Sequence, residues 1–115
     1  MAGGILSQIN PTNPTSLKIS VAVGNATLVA ANATKKIAVL GYILAGDTSG
    51  TTLTFKSNAT SISGDLGIPL LTSSPFIASV SDSDLALFET EINEPLVATA
   101  ATGTVTGVVI YQEID

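Results

Sequence analysis

Hydrophobic residues in this chain recur mostly at every second position and in short runs. Leu17, Ile19, Val21 and Val23 alternate with Lys18, Ser20 and Ala22, the two-residue period of a strand with one buried face, and Gly24-Asn25 closes the run. Further β-rich runs follow at 27–31, 36–45, 51–57, 68–71, 76–80, 85–89, 96–101 and 104–112, separated by Gly, Asn, Asp, Ser or Pro. No window sustains the i, i+3, i+4, i+7 stripe of an amphipathic helix. Strands roughly ten residues apart with turn residues between them predict an all-β fold, an antiparallel β-sandwich of jelly-roll type with about eight strands.

Two runs depart from simple alternation. In Ile37-Ala38-Val39-Leu40-Gly41-Tyr42-Ile43-Leu44 and in Val105-Thr106-Gly107-Val108-Val109-Ile110-Tyr111, bulky apolar side chains fall on both faces. One face of a thin sandwich meets the core and the other meets water, so apolar residues on both call for a second burial partner. Loops or the N-terminal segment would cover that face, or it is a subunit interface. The scarcity of guarding charges favours the interface, with Leu40, Tyr42, Val108 and Ile110 as its candidate residues. The start of the chain has a different character: Ile5, Leu6 and Ile9 precede Asn10-Pro11-Thr12-Asn13-Pro14, a proline-punctuated stretch that cannot join a central strand. It reads as an extended N-terminal arm over 1–16, packed on a neighbour or on the sandwich domain of 17–115.

Composition then removes most chemistry. The 115 residues are 45% hydrophobic and contain no His, Cys, Trp or Arg. A chain of this length buries roughly two-thirds of the surface its unfolded form exposes, enough for one core. Without His, Cys and Arg, nucleophilic, thiol and zinc mechanisms lose their commonest participants. No enzymatic activity and no cofactor are expected. Only 11% of residues are charged, against about 25% in an average chain, and 12 Ser and 15 Thr supply most of the polar surface. With Lys18, Lys35, Lys36 and Lys56 as the only cations and a net charge of −5, the chain would repel a phosphate backbone, so no nucleic-acid partner is expected. The opening Met1-Ala2-Gly3-Gly4 lacks the pattern of a signal peptide, and the longest apolar run, 37–46, is about half a membrane span, so no membrane association is expected. Asn-x-Thr triplets at Asn25, Asn32 and Asn58 read as turn chemistry.

Three candidate sites stand against plainer readings. Asp47-Thr48-Ser49-Gly50, after Tyr42-Ile43-Leu44-Ala45, approaches the apolar-apolar-Asp-Thr-Gly signature of retroviral-type aspartic proteases. Ser49 stands where that signature needs glycine, and a hairpin turn over 46–50 explains the same residues. Asp82 and Asp84, with Glu89, Glu91 and Glu94 behind them, form an acidic group whose oxygens suit Ca²⁺, but the spacing is not that of an EF-hand and acidic turns explain it as well. A glycosidase carboxylate pair drawn from the same residues lacks a tryptophan platform for sugar.

The succession Gly41-Tyr42-Ile43-Leu44, Leu53-Thr54-Phe55-Lys56-Ser57, Ile62-Ser63-Gly64, Pro69-Leu70, Phe88-Glu89-Thr90, Glu94-Pro95-Leu96 and Val105-Thr106-Gly107-Val108-Val109-Ile110-Tyr111-Gln112-Glu113 resembles small virion proteins of tailed phages, the capsid decoration or cement proteins. The resemblance spans residues 36–114, and Phe88 stands where a tryptophan is common. It implies a β-sandwich virion protein, commonly a homotrimer, that sits on the outer capsid surface, binds the major capsid protein and has no active site. On that reading the arm, with Ile5, Leu6, Ile9, Pro11 and Pro14, contacts the capsid or an adjacent decoration subunit. A head-fibre or tail-fibre module with a receptor- or glycan-binding role is the alternative.

Overall fold

The computed structural model describes residues 14–48, 50–70, 76–79 (backbone) and 86–114. Nine strands run in chain order among these residues: β1 (Thr15–Val21), β2 (Gly24–Val29), β3 (Lys36–Gly46), β4 (Thr52–Ser57), β5 (Thr60–Gly67), β6 (Phe76–Ser79), β7 (Phe88–Glu89), β8 (Leu96–Ala100) and β9 (Val105–Ile114). No helix occurs among the described residues. One sheet has the order β1-β9-β3-β6, with β7 also on β3; the other has the order β2-β8-β4-β5. All of these pairings are antiparallel.

Since β6 and β7 share one edge of β3, they act as two pieces of a single strand, and eight strand positions remain. The pairs β1 with β9, β2 with β8, β3 with β6 and β7, and β4 with β5 are then nested, as in one long hairpin folded over and wrapped into two sheets. That nesting is the jelly roll, and it turns the sequence expectation of an eight-stranded sandwich into a defined strand order.

Alternation selects the core. Ile19 and Val21 of β1, Val105 and Val109 of β9, Leu53 and Phe55 of β4, and Leu96, Ala98 and Ala100 of β8 all lie in one buried cluster. Strand β3 contributes Ile37, Val39, Tyr42 and Leu44. Between Val39 and Gly41 the register with β9 shifts, a β-bulge at Leu40. The extra residue changes the parity of the inward positions from odd to even. Tyr42, Phe55 and Phe88 join the two sheets, with ring centroids 5.7 Å apart for Tyr42–Phe55, 5.1 Å for Phe55–Phe88 and 6.4 Å for Tyr42–Phe88. Phe88, the residue standing for a tryptophan in the resemblance, thus packs half-buried against the core.

One buried polar group fixes how β7 meets β3. Thr90 is fully buried; its Oγ1 accepts the Ile37 N–H at 2.9 Å, and its own N–H donates to the Ile37 carbonyl at 2.9 Å. Replacing Thr90 by valine keeps the shape but leaves the Ile37 N–H buried without its acceptor, a cost of about 1–3 kcal/mol. Urea unfolding should show that loss with an unchanged m-value; an unchanged midpoint would mean the N–H finds water.

Three expectations need correction. The segment 60–67 is a strand that the pattern did not predict, because β5 is a half-exposed sheet edge rich in Ser, Thr and Gly, and Gly64 bends it at φ +75° beside a register shift against β4. Of the strand predicted at 68–71, the described residues 68–70 are instead a connection: Ile68 donates to the Thr51 carbonyl, the Pro69 carbonyl accepts the Gly46 N–H, and a single bridge joins Leu70 to Gly46. The arm expected over 1–16 gives up its last two residues to β1, which starts at Thr15.

Candidate interaction face

The two sheets present outer faces of opposite character. On the β2-β8-β4-β5 sheet, Asn25, Thr99, Thr54 and Asp65 stand in one cross-strand row, each opposite the next. Thr99 Oγ1 donates to Asn25 Oδ1 at 2.5 Å, and Thr54 Oγ1 donates to Asp65 Oδ1 at 2.6 Å. Lys56 and Val97 follow in the adjacent row. This face is finished for water, with its polar groups paired across strands.

The β1-β9-β3-β6 sheet is different. With Val105 and Val109 inward, β9 turns Thr106, Val108, Ile110 and Gln112 outward; with Ile37, Val39, Tyr42 and Leu44 inward, β3 turns Ala38, Ile43 and Ala45 outward, and Leu40 projects at the bulge. Ile43 lies opposite Val108, and Val108 lies opposite Lys18. Ile43 is 44% exposed and is one of the few large exposed apolar residues among those described. Val108, Ile110 and Leu40 are half-buried around it. Among the described residues, charges stay at the margin: Lys18 on β1, and the Lys36–Glu89 ion pair at 3.1 Å where β3 begins.

Of the predicted interface residues, the structure therefore places Leu40, Val108 and Ile110 on this outer face, but not Tyr42. The bulge turns Tyr42 into the interior, where it is 5% exposed and burial pushes its phenol above the ordinary value. Ile43 takes the place assigned to it. Gly41 was the available signal, since an isolated glycine inside a strand pattern marks a bulge. Of the arm residues, Pro14 is exposed just ahead of β1, and Ile5, Leu6, Ile9 and Pro11 lie outside the described residues.

The protease-like segment has a structural task. Asp47 Oδ1 accepts the Thr104 N–H at 2.8 Å and the Thr48 hydroxyl at 2.9 Å, while the Asp47 N–H donates to the Thr104 carbonyl at 3.1 Å. The carboxylate ties the β3–β4 turn to the β8–β9 loop. The Thr104 N–H, then the Thr48 hydroxyl, hold its carboxyl below the ordinary value. A depressed carboxyl contributes stability that is present above the ordinary carboxylate range and fades as pH falls through the lowered value. Asp47→Asn should therefore melt lower than the parent at pH 6, and the gap should close in acid below about pH 4. A gap independent of pH would assign the effect to shape rather than to charge.

The acidic group disperses in the same way. Glu89 pairs with Lys36, and Glu94 accepts the buried Ser57 hydroxyl at 2.5 Å, whose oxygen accepts the Glu91 N–H at 2.9 Å. Asp82 and Asp84 lie outside the described residues. No group of three or more acidic residues able to hold a metal ion occurs among the described residues, and they contain no helix long and apolar enough to cross a membrane.

No family model, curated protein or solved structure matches this chain.

Proposed function

We propose that this protein is a structural virion protein, a decoration or cement subunit that assembles as a homotrimer on the outer surface of a phage capsid and contacts the major capsid protein. The observation that carries the reading is the contrast between the two sheet faces: a hydrogen-bonded polar ladder on one, and Ile43, Val108, Ile110 and Leu40 on the other. A fold that finishes one face for water and leaves the other apolar is suited to association through the second. The resemblance of residues 36–114 to decoration proteins supplies the capsid as the setting.

The mechanism needs no active site. A protein that binds the assembled shell and not its free subunits stabilises the shell by mass action, RT ln(1 + [L]/Kd). A trimer touching several capsid subunits at once gains further through effective concentration, so individually weak contacts suffice. Two measurements test the reading. Light scattering after size-exclusion chromatography should give three times the 11.6 kDa protomer mass at all concentrations. The trimer should then co-sediment with assembled shells of the phage carrying its gene and leave unassembled capsid subunits in the supernatant. A monomeric mass, or equal binding to free subunits, overturns it.

A further inference from the structure

We propose that the apolar outer face formed by β9 and β3 is covered by the N-terminal segment of a second copy, with Ile5, Leu6 and Ile9 seated over Ile43, Val108 and Ile110. This inference rests on the homo-oligomer proposed above and names the part of the neighbour that fills the face.

Three observations support that occupant. The first is chemical match: residues 1–13 carry no charged side chain and three of the chain's branched apolar residues, and among the described residues the face they would cover has its charges only at the margin. A charged capsid loop or a polar peptide would leave unpaired groups there.

The second is where the described chain begins. Thr15 pairs with Tyr111, and the apolar rows lie further along β1, at Ser16 opposite Ile110 and Lys18 opposite Val108. Continued backward from Thr15, the line of β1 runs past Gln112 toward Ile114, away from the rows of Val108 and Ile110. The third is the chemistry of the spacer. Pro11 and Pro14 fix their own backbone and bias Asn10 and Asn13 to extended conformations. At about 3.1 Å per residue, an extended spacer would carry Ile9, six steps before Thr15, roughly 19 Å along that line, past the Lys36–Ile114 end of the β3–β9 ladder. Covering the face in cis would need a full reversal within this stiff spacer. A straight exit delivers the same residues to a neighbour, the geometry of an exchanged arm. Around a closed ring each copy both gives one arm and receives one.

The natural chain contains no cysteine, so thiols can be placed singly. Ile9→Cys and Ile43→Cys chains are mixed in equal amounts, refolded together and treated with a short bis-maleimide. A two-chain product requiring both variants is expected, and the double variant should give linked dimers and trimers without an internally linked monomer. An internally linked monomer overturns the proposal in favour of coverage in cis. An oligomer by light scattering that yields no Ile9–Ile43 product refutes the arm while leaving the oligomer standing. A monomer by light scattering refutes both. A chain lacking residues 1–10 provides a second reading that needs no cysteine: its binding of the apolar dye ANS should rise several-fold, and unchanged binding overturns the proposal.

Discussion

Replacing Gly107 by alanine is expected to destabilise the fold strongly. Gly107 lies within β9 at φ +154°, opposite Leu44 of β3, and a Cβ there would sit 1.9 Å from the Ile43 carbonyl oxygen and 2.9 Å from its carbon. Both contacts are with backbone, so no rotamer change relieves them; the two strands would have to separate. The β3–β9 ladder runs from Lys36 opposite Ile114 to Gly46 opposite Val105 at the centre of the sheet. Forcing it apart costs about 3 kcal/mol or more, a large share of the roughly 5–15 kcal/mol that holds a domain of this size together. The variant should melt more than about 10 °C below the parent by circular dichroism. A melting temperature within a degree or two would show that the close approach is not maintained in solution.

The same strand pair shows where the sequence was legible and where it was not. Period-two alternation located β1, and short β-rich runs between turn residues located β3, β4, β8 and β9, because each buries one face in a common core and the side chains record it. It did not locate β5, whose edge position asks for little burial and so leaves a polar record that reads as loop. The apolar residues on both faces of β3 had two causes that composition cannot separate. One is the bulge at Leu40, which passes the core face from Ile37 and Val39 to Tyr42 and Leu44 and makes a single buried stripe look like two. The other is a true second apolar surface, to which Ile43 belongs and Tyr42 does not. On β9 no register shift intervenes against β1, so Val108 and Ile110 could be assigned to the outer face by counting. Strand order was beyond the reach of the pattern, since alternation specifies faces and not neighbours. Asp47 was legible as turn chemistry but not as the tie between two loops 57 residues apart in sequence.

Ile43→Lys should dissolve the assembly while leaving the subunit folded. Ile43 is already 44% exposed in the single chain, so the long lysine stem can lie along β3 with its ammonium in water, and the subunit should melt near the parent temperature. In the proposed assembly the same position sits in an apolar contact with no acid beside it among the described residues, as Lys18 is the charge in its own cross-strand row. Burying an unpaired charge there costs about 3–5 kcal/mol, which weakens association by about 10²–10⁴-fold. Light scattering should then give a monomeric mass at concentrations where the parent is trimeric, and shell binding should fall with it, since the multivalent gain is lost. Thr27→Lys, on the exposed polar face of the other sheet, is the matched control and should change neither. If Ile43→Lys remained trimeric and shell-bound while Thr27→Lys fell apart, the two faces would have exchanged roles: the polar ladder would be the contact surface, and the apolar face would be covered within each subunit.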